Sequence, residues 1–205
     1  MQSIAKKLRP LLVLASLTAA ATPSHGDTIT NKTFSYFSVG GRTAAELDDE
    51  LSKRGPKMKN TGSRHPGATR IRFGGSVTYV RRGGKCYVGD TKVTLTTNII
   101  LPRWKHRRSA SKSLGLIWDT LSSDIKRHEE RHAEIARNHA RDLERSLKAL
   151  RPERDCAKLQ AKVDRITAAA VEAHDKDQAR FDRVEAHNFN ERMLRLLTHR
   201  LERTQ

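Results

Sequence analysis

A single apolar stripe through residues 113–150 constrains the fold more than any other feature of the 205-residue chain. Its members recur at intervals of three and four residues, which is the spacing of one face of an α-helix. They are Leu114, Ile117, Leu121, Ile125, His128, His132, Ile135, His139, Leu143, Leu147 and Leu150. Pro152 ends the pattern, because proline lacks the amide hydrogen that a helix needs. The stripe therefore predicts one helix of about 35 residues.

A second helical pattern runs from about Cys156 to His199. Its apolar positions include Leu159, Val163, Ile166, Ala170, Ala173, Phe181 and Leu194. The helical part of the chain is therefore expected to cover residues 113–205 and to consist of two long helices.

The preceding part, residues 27–112, has the patterns of β-structure. A strand is expected in residues 33–41, and a short helix begins at the capping-box pair Thr43 and Glu46. Further along, the glycine pair at 74–75 marks either a hairpin turn or a weak point within one strand, and another turn is expected near Gly84. We predict an antiparallel sheet with a short helix, followed by two long helices, as one α+β domain over residues 27–205.

The first 26 residues have the pattern of a signal peptide. Three basic residues precede an apolar run at residues 11–21, which is too short to span a bilayer. Small residues follow, and cleavage is expected after Ala21 or after Gly26. The pattern predicts an exported protein, and an uncleaved membrane anchor is the alternative.

Most of the net positive charge lies in the part of the chain that remains after cleavage of the signal peptide. The net charge is +17, and residues 1–26 carry three basic and no acidic residues, so +14 remains after cleavage. Such a surface favours anionic partners, for example phosphate-bearing components of a cell envelope. Nucleic acid is a less favoured partner, because no DNA- or RNA-binding module is visible in the sequence.

Cys86 and Cys156 are the only cysteines. An even number of cysteines in an exported protein favours a disulfide over a thiolate metal site or a nucleophile. We therefore predict a Cys86–Cys156 bridge, with two buried free thiols as the alternative.

The first long helix contains His128-Glu129-Glu130-Arg131-His132. Residues four apart lie one turn above each other on the same side of a helix, so both histidines can bind one Zn²⁺ ion. Glu129 lies about 100° round the helix, where it can accept a proton from a water on the metal. The motif predicts a zinc site with Glu129 as the general base, and a solvated helix face is the alternative.

The third ligand is expected from the second helix. His139 lies about 10 Å further along the first helix than His132, which is too far for one ion. The candidates on the second helix are His174, Asp175, Asp177, Asp182, Glu185 and His187.

Several stretches resemble a family of predicted secreted bacterial zinc-dependent proteases known as DUF922. They are YFSVGGRTAAELDDELSKRGP, KCYV, IILPRW, IWDTLSSDIKRHEERHAEIA, CAKL and ARFDRVEAH. The family has Tyr-Asp-x-x-Thr-x-His-Gly near its end, where this chain has residues 181–188. The aspartate and the histidine match, as Asp182 and His187, whereas Phe181, Glu185 and Asn188 replace Tyr, Thr and Gly. The resemblance implies that His187 is the third zinc ligand and that Asp182 orients a ligand histidine.

The leading expectation is an exported zinc metallopeptidase, periplasmic or secreted, that acts on a peptide or protein substrate. The alternative is a non-catalytic envelope-binding module with a basic surface, in which zinc is structural or absent. A third, weaker hypothesis is a helical protein that binds nucleic acid.

Overall fold

The computed structural model describes residues 28–57 and 62–203. In chain order, its elements are β1 (Ile29–Val39), α1 (Ala44–Arg54), β2 (Ala68–Arg82), β3 (Lys85–Trp104), a 3₁₀ turn (Arg107–Ser109), α2 (Lys112–Lys148), α3 (Cys156–His187) and α4 (Phe189–Glu202). A β-rich part precedes a helical part, which confirms the predicted α+β fold. The predicted signal peptide lies outside the described residues.

The three strands form one mixed sheet in the order β1-β3-β2. Strands β2 and β3 are antiparallel, whereas β1 runs parallel to β3. The predicted antiparallel pairing is therefore found between β2 and β3 but not between β1 and β3. Strands β1 and β2 run in opposite directions. Strand β3 lies between them, so it has to be parallel to one and antiparallel to the other.

The sequence leaves two alternatives for the glycine pair at 74–75, a hairpin turn or a weak point within one strand, and the structure shows the second. The strand runs unbroken through Gly74 and Gly75, and a Cβ at Gly75 would lie 2.1 Å from the carbonyl oxygen of Lys92. The chain turns instead at Gly83 and Gly84, which have φ values of 57° and 71°. Positive φ at both positions of a two-residue loop is typical of the type I′ turn that suits the twist of a hairpin.

Helix α2 packs on one face of the sheet. On β3 the odd-numbered residues from Thr91 to Leu101 are buried, as the period of two requires. On α2 the buried face includes Ile125, Glu129 and Ala133. The centre of this face is offset around the helix, by about one residue position, from the apolar stripe that the sequence predicts. As a consequence, His128 and His132 lie at the side of this face rather than at its centre.

The two tryptophans join α2 to the end of the sheet. Trp104 and Trp118 are both 5% exposed, and their ring centroids are 5.5 Å apart. Leu47 and Leu51 of α1 complete this cluster. The cap of α1 is formed as predicted, because the Thr43 side chain accepts a hydrogen bond of 3.2 Å from the Glu46 amide.

The helical part begins at a covalent anchor. The predicted disulfide is present between Cys86 at the start of β3 and Cys156, the first residue of α3. Backbone hydrogen bonds of 2.6 Å and 2.9 Å between Cys86 and Glu153 reinforce the junction. From there, α3 packs back against α2.

The second long helical pattern is divided in two. Helix α3 ends at His187, Asn188 has φ −92° and ψ 1°, and α4 follows. The turn directs α4 back toward the first half of α2, where Arg192 contacts Asp124. In the part of the chain that the structure describes, no helix is both long and apolar enough to span a membrane.

The disulfide is expected to stabilise the fold strongly. It closes a sequence separation of 70 residues, for which loop-closure entropy gives about 4 kcal/mol. We expect the Cys86→Ala/Cys156→Ala variant to lose about this much free energy of unfolding in urea titrations. The oxidised wild type should lose the same amount on reduction, while the variant should not respond to reductant. Equal stability of oxidised and reduced wild type would contradict the prediction.

Candidate metal centre

The two motif histidines meet on α2. His128 and His132 lie one turn apart, both are partly buried, and their Nε2 atoms are 3.0 Å apart. Their ring centroids are 4.7 Å apart at an interplanar angle of 79°. Because α2 is regular through this stretch, the spacing of four residues alone brings the two nitrogens together.

Asp182 of α3 provides a third donor atom. Its Oδ1 lies 3.3 Å from Nε2 of His128 and 2.9 Å from Nε2 of His132. Among the described residues, these three are the group of His, Cys, Asp and Glu side chains whose ligand atoms converge closely enough for one metal ion. Asp182, which the resemblance assigns to the orientation of a ligand, therefore stands at the position of a ligand.

His187 does not join this cluster. It is the last residue of α3 and is exposed. Five residues beyond Asp182, it lies about 140° round the helix and about 7.5 Å further along the axis. His139 is also outside the cluster, as predicted, and its Nε2 lies 2.9 Å from Oδ2 of Asp177.

Gln178 fixes the tautomer of His132. Its Nε2 donates hydrogen bonds to the carbonyl oxygen of His132 at 3.0 Å and to Nε2 of His174 at 2.8 Å. The amide orientation is thereby set, and Oε1 of Gln178 accepts from Nδ1–H of His132. In the neutral ring, the lone pair of His132 is then on Nε2, the atom that faces His128 and Asp182.

His174 extends this chain of hydrogen bonds. It is 5% exposed, and its Nδ1 donates to Oδ1 of Asp175 at 2.9 Å. The sequence offered His174 and Asp175 as candidate ligands, but the structure places them behind Gln178. No sequence pattern indicates Gln178, since a glutamine on a polar helix has no distinctive spacing.

The donor atoms fit a zinc ion. An imidazole lone pair that faces a carboxylate oxygen at 2.9 Å is repulsive unless a proton or a metal ion lies between them. Two imidazole nitrogens and a carboxylate oxygen are ligands that zinc accepts, at about 2.0–2.2 Å. A tetrahedral site with these bonds has donor–donor separations of about 3.3 Å, close to the 2.9, 3.0 and 3.3 Å between these atoms.

The electrostatics of the three side chains are coupled. Burial disfavours the charged form of Asp182, but hydrogen bonds from His128 and His132 hold its pKa well below its usual range. Burial likewise disfavours the charged form of His132, yet its bonds to Asp182 and Gln178 raise its pKa. The cluster therefore attracts a cation, and a proton and a metal ion compete for it.

A network of charged side chains supports His128 from behind. Its Nδ1 lies 3.6 Å from Oε2 of Glu185, a candidate ligand that instead pairs with Arg127 and Arg192. Phe181 stacks on the His128 ring at a centroid distance of 4.9 Å. Phe181, which replaces the family tyrosine, thus packs on a candidate ligand.

Glu129 lies under the start of β2. It is 5% exposed, and the hydroxyl of Thr69 lies 2.9 Å from its Oε2 and 2.8 Å from its carbonyl oxygen. A Cβ at Gly67 would lie 2.9 Å from its Oε1, so β2 approaches this closely only because residue 67 is glycine. Burial raises the pKa of Glu129, against the opposing effect of His132 and the Thr69 hydrogen bond.

These groups line one open cleft of about 400 Å³. Its walls come from the start of β2, from α2 and from α3. His65 also lines it, from the segment between α1 and β2, and no sequence pattern indicates a functional residue there. Arg180 of α3 pairs with Asp177 at 3.2 Å.

Asp124 is expected to hold α4 in place. It is 5% exposed and accepts hydrogen bonds from Arg127 at 2.9 Å and Arg192 at 3.0 Å. Asp124→Asn should lower the free energy of unfolding by about 2 kcal/mol. The arginines hold the pKa of Asp124 below its usual range against its burial. The difference should therefore be fully present above about pH 4, the pKa of an aspartate in the unfolded chain, and be lost as pH falls from there through the lower pKa of the folded state.

Asp142→Asn is the matched control, because Asp142 makes only an exposed pair with Arg145 on the same helix. Its effect should stay within about 0.5 kcal/mol. Equal effects of the two substitutions in urea titrations at pH 7 would show that the Asp124 network does not stabilise the fold.

Comparison with known proteins agrees with the resemblance seen in the sequence. The family described as bacterial protein of unknown function (DUF922) matches residues 34–188, a range that holds all the residues of the metal centre. No curated protein and no solved structure matches the chain. Because the match extends over most of its length, the chain belongs to the DUF922 family.

Proposed function

We propose that this protein is a zinc-dependent hydrolase that cleaves peptide bonds. The observation that carries the proposal is the convergence of His128 Nε2, His132 Nε2 and Asp182 Oδ1 within one cleft that also contains the buried carboxyl of Glu129. Three protein ligands leave the fourth position of a tetrahedral zinc ion open, which is the arrangement of catalytic rather than structural zinc sites.

The chemistry divides between the metal and Glu129. When bound, zinc would supply a water of lowered pKa and would polarise a carbonyl group. Glu129 would be the group that accepts the proton of that water, because burial raises the pKa of its carboxyl and makes it a stronger base. Thr69 holds Oε2 by a hydrogen bond, which orients the carboxyl. As the water oxygen bonds to the carbonyl carbon and the C–N bond breaks, the same carboxyl would return the proton to the departing amine.

The remaining residues hold the ligands. Gln178 keeps the proton of neutral His132 on Nδ1, and Glu185 faces Nδ1 of His128. A carboxylate or amide behind a ligand histidine orients the ring and raises its basicity. The cleft is open to solvent on one side, which suits a substrate as large as a peptide.

We place this activity outside the cytoplasm. The disulfide between Cys86 and Cys156 requires an oxidising compartment to persist. The family is bacterial, and the N-terminal residues have the pattern of a signal peptide. The periplasm or the outside of the cell therefore suits the protein, and anionic envelope components suit its basic surface.

Metal content and hydrolysis test the proposal together. Purified residues 27–205 should bind about one zinc per chain, and His128→Ala/His132→Ala and Asp182→Ala should each lose it. His187→Ala is the matched control and should keep zinc, because His187 lies outside the cluster. Zinc loss in His187→Ala but not in Asp182→Ala would replace Asp182 by His187 as the ligand.

Glu129→Gln should bind zinc normally and lose hydrolysis of a casein or peptide-library substrate by at least about 100-fold. Glu130→Gln changes the neighbouring residue, which pairs with Lys126, and should remain active. If Glu129→Gln stays active, the catalytic assignment is wrong. If zinc binds but the wild type hydrolyses nothing, the centre is structural and the envelope-binding alternative takes its place.

Gln178→Leu tests the hydrogen bond that fixes His132. The substitution keeps the approximate size of the side chain but removes the acceptor for Nδ1–H. Zinc affinity should fall about 10- to 100-fold, measured by competition with a chromogenic chelator. Gln160→Leu on the same helix, where Gln160 bonds only to Asp164, should leave the affinity unchanged. Equal affinities in both variants would contradict the role of Gln178.

A further inference from the structure

A half-open apolar cavity of about 360 Å³ lies between the sheet and the helix pair, apart from the metal cleft. Its apolar walls are Phe73, Val77, Leu143, Leu147, Val163 and Val171. Gly74 and Gly75 line it without side chains, which leaves space beside β2. The volume falls in the range of ligand pockets, about 300–1,000 Å³.

A shallow groove along α3 connects this cavity to the metal cleft. Asp175 lines both the cleft and the groove. Thr167 and Val171 line both the groove and the cavity. Beneath the junction, Phe73 packs edge-on against the buried His174 at 5.0 Å. The three depressions therefore adjoin one another along α3, from the metal centre to the cavity.

The helices give the distance from the metal centre to the cavity. On α3, Asp182 lies 11 residues beyond Val171, and on α2, Leu143 lies 11 residues beyond His132. At 1.5 Å per residue, both separations are about 16 Å. An extended peptide advances about 3.3 Å per residue, so about five residues of substrate cover the distance.

We propose that the cavity is a recognition subsite for a bulky apolar side chain of the substrate, about five residues from the bond that is cleaved. The inference rests on the proposed peptidase function, because the position of the cavity beside the metal cleft, along the groove on α3, is what identifies the occupant as part of the substrate. The substrate class is then an extended peptide or unfolded segment with a large apolar residue at this distance. Burial of that side chain provides the affinity.

A series of tethered hydroxamates measures the distance directly. Each compound joins a zinc-binding hydroxamate to phenylalanine amide through an increasing number of glycines, and a second series reverses the direction of the chain. Binding is measured on zinc-loaded Glu129→Gln, so that hydrolysis does not interfere. At a spacing of about five residues in one direction, the phenylalanine compound should bind about 10-fold more tightly than its alanine counterpart.

Substitutions at the mouth of the cavity provide the controls. Val171→Trp fills the space and Val171→Asp places a charge there, and we expect both variants to fold because Val171 is 37% exposed. Both should abolish the preference for phenylalanine while leaving the affinity for acetohydroxamate unchanged. Val184→Trp makes the same change at an exposed position of α3 outside the cavity and should behave as the parent.

The outcomes separate the two proposals. If acetohydroxamate binds but phenylalanine gives no gain at any spacing, the subsite is wrong and the zinc centre stands. If Val171→Trp and Val184→Trp reduce the gain equally, the subsite is likewise wrong. If acetohydroxamate does not bind to the metal-supplied protein, the zinc centre is overturned, and with it the subsite.

Discussion

The packing of α3 against α2 assembles the candidate metal centre of this fold. Both histidines lie on α2, but Asp182, Gln178 and Glu185 all come from α3. A shift of α3 by one residue would turn Asp182 by about 100° and carry it away from the histidine nitrogens. The two ends of the packed pair are therefore fixed: the disulfide to β3 holds the start of α3, and Arg192 and Asp124 hold the turn after its end.

The rotation of α2 about its own axis has an equally direct consequence. Neighbouring residues on a helix point about 100° apart, so one turn can present His128 to α3 and Glu129 to β2. In the structure Glu129 is buried beneath Gly67 and Thr69, while the histidines face Asp182 and Gln178. This division explains why the apolar stripe in the sequence is offset from the buried face: the histidines stand at the border between sheet and helix, not in the centre of the core.

Local patterns in the sequence predicted the parts of the structure that depend on local geometry. The long helix, the cap of α1 and the meeting of His128 with His132 follow from spacings within one helix. The identity of the third donor depends on how α3 is rotated about its axis against α2, which no local sequence pattern specifies. The resemblance favoured His187, whereas the structure places Asp182 beside the histidines. The parallel pairing of β1 and the role of Gln178 were missed for the same reason, since each depends on which element lies beside which.

The order of the site before metal binding follows from its hydrogen bonds. Each polar atom around His132 has a defined partner: Gln178 on Nδ1, and Asp182 and His128 around Nε2. The Gln178 amide is itself fixed by the His132 carbonyl and by the buried His174. A metal ion bound by these three side chains would therefore displace a proton from a geometry that already exists, and would not have to order the side chains as it binds. Affinity at such a site depends on the competition between proton and metal for the same lone pairs, which is why the groups behind the ligands also affect the affinity.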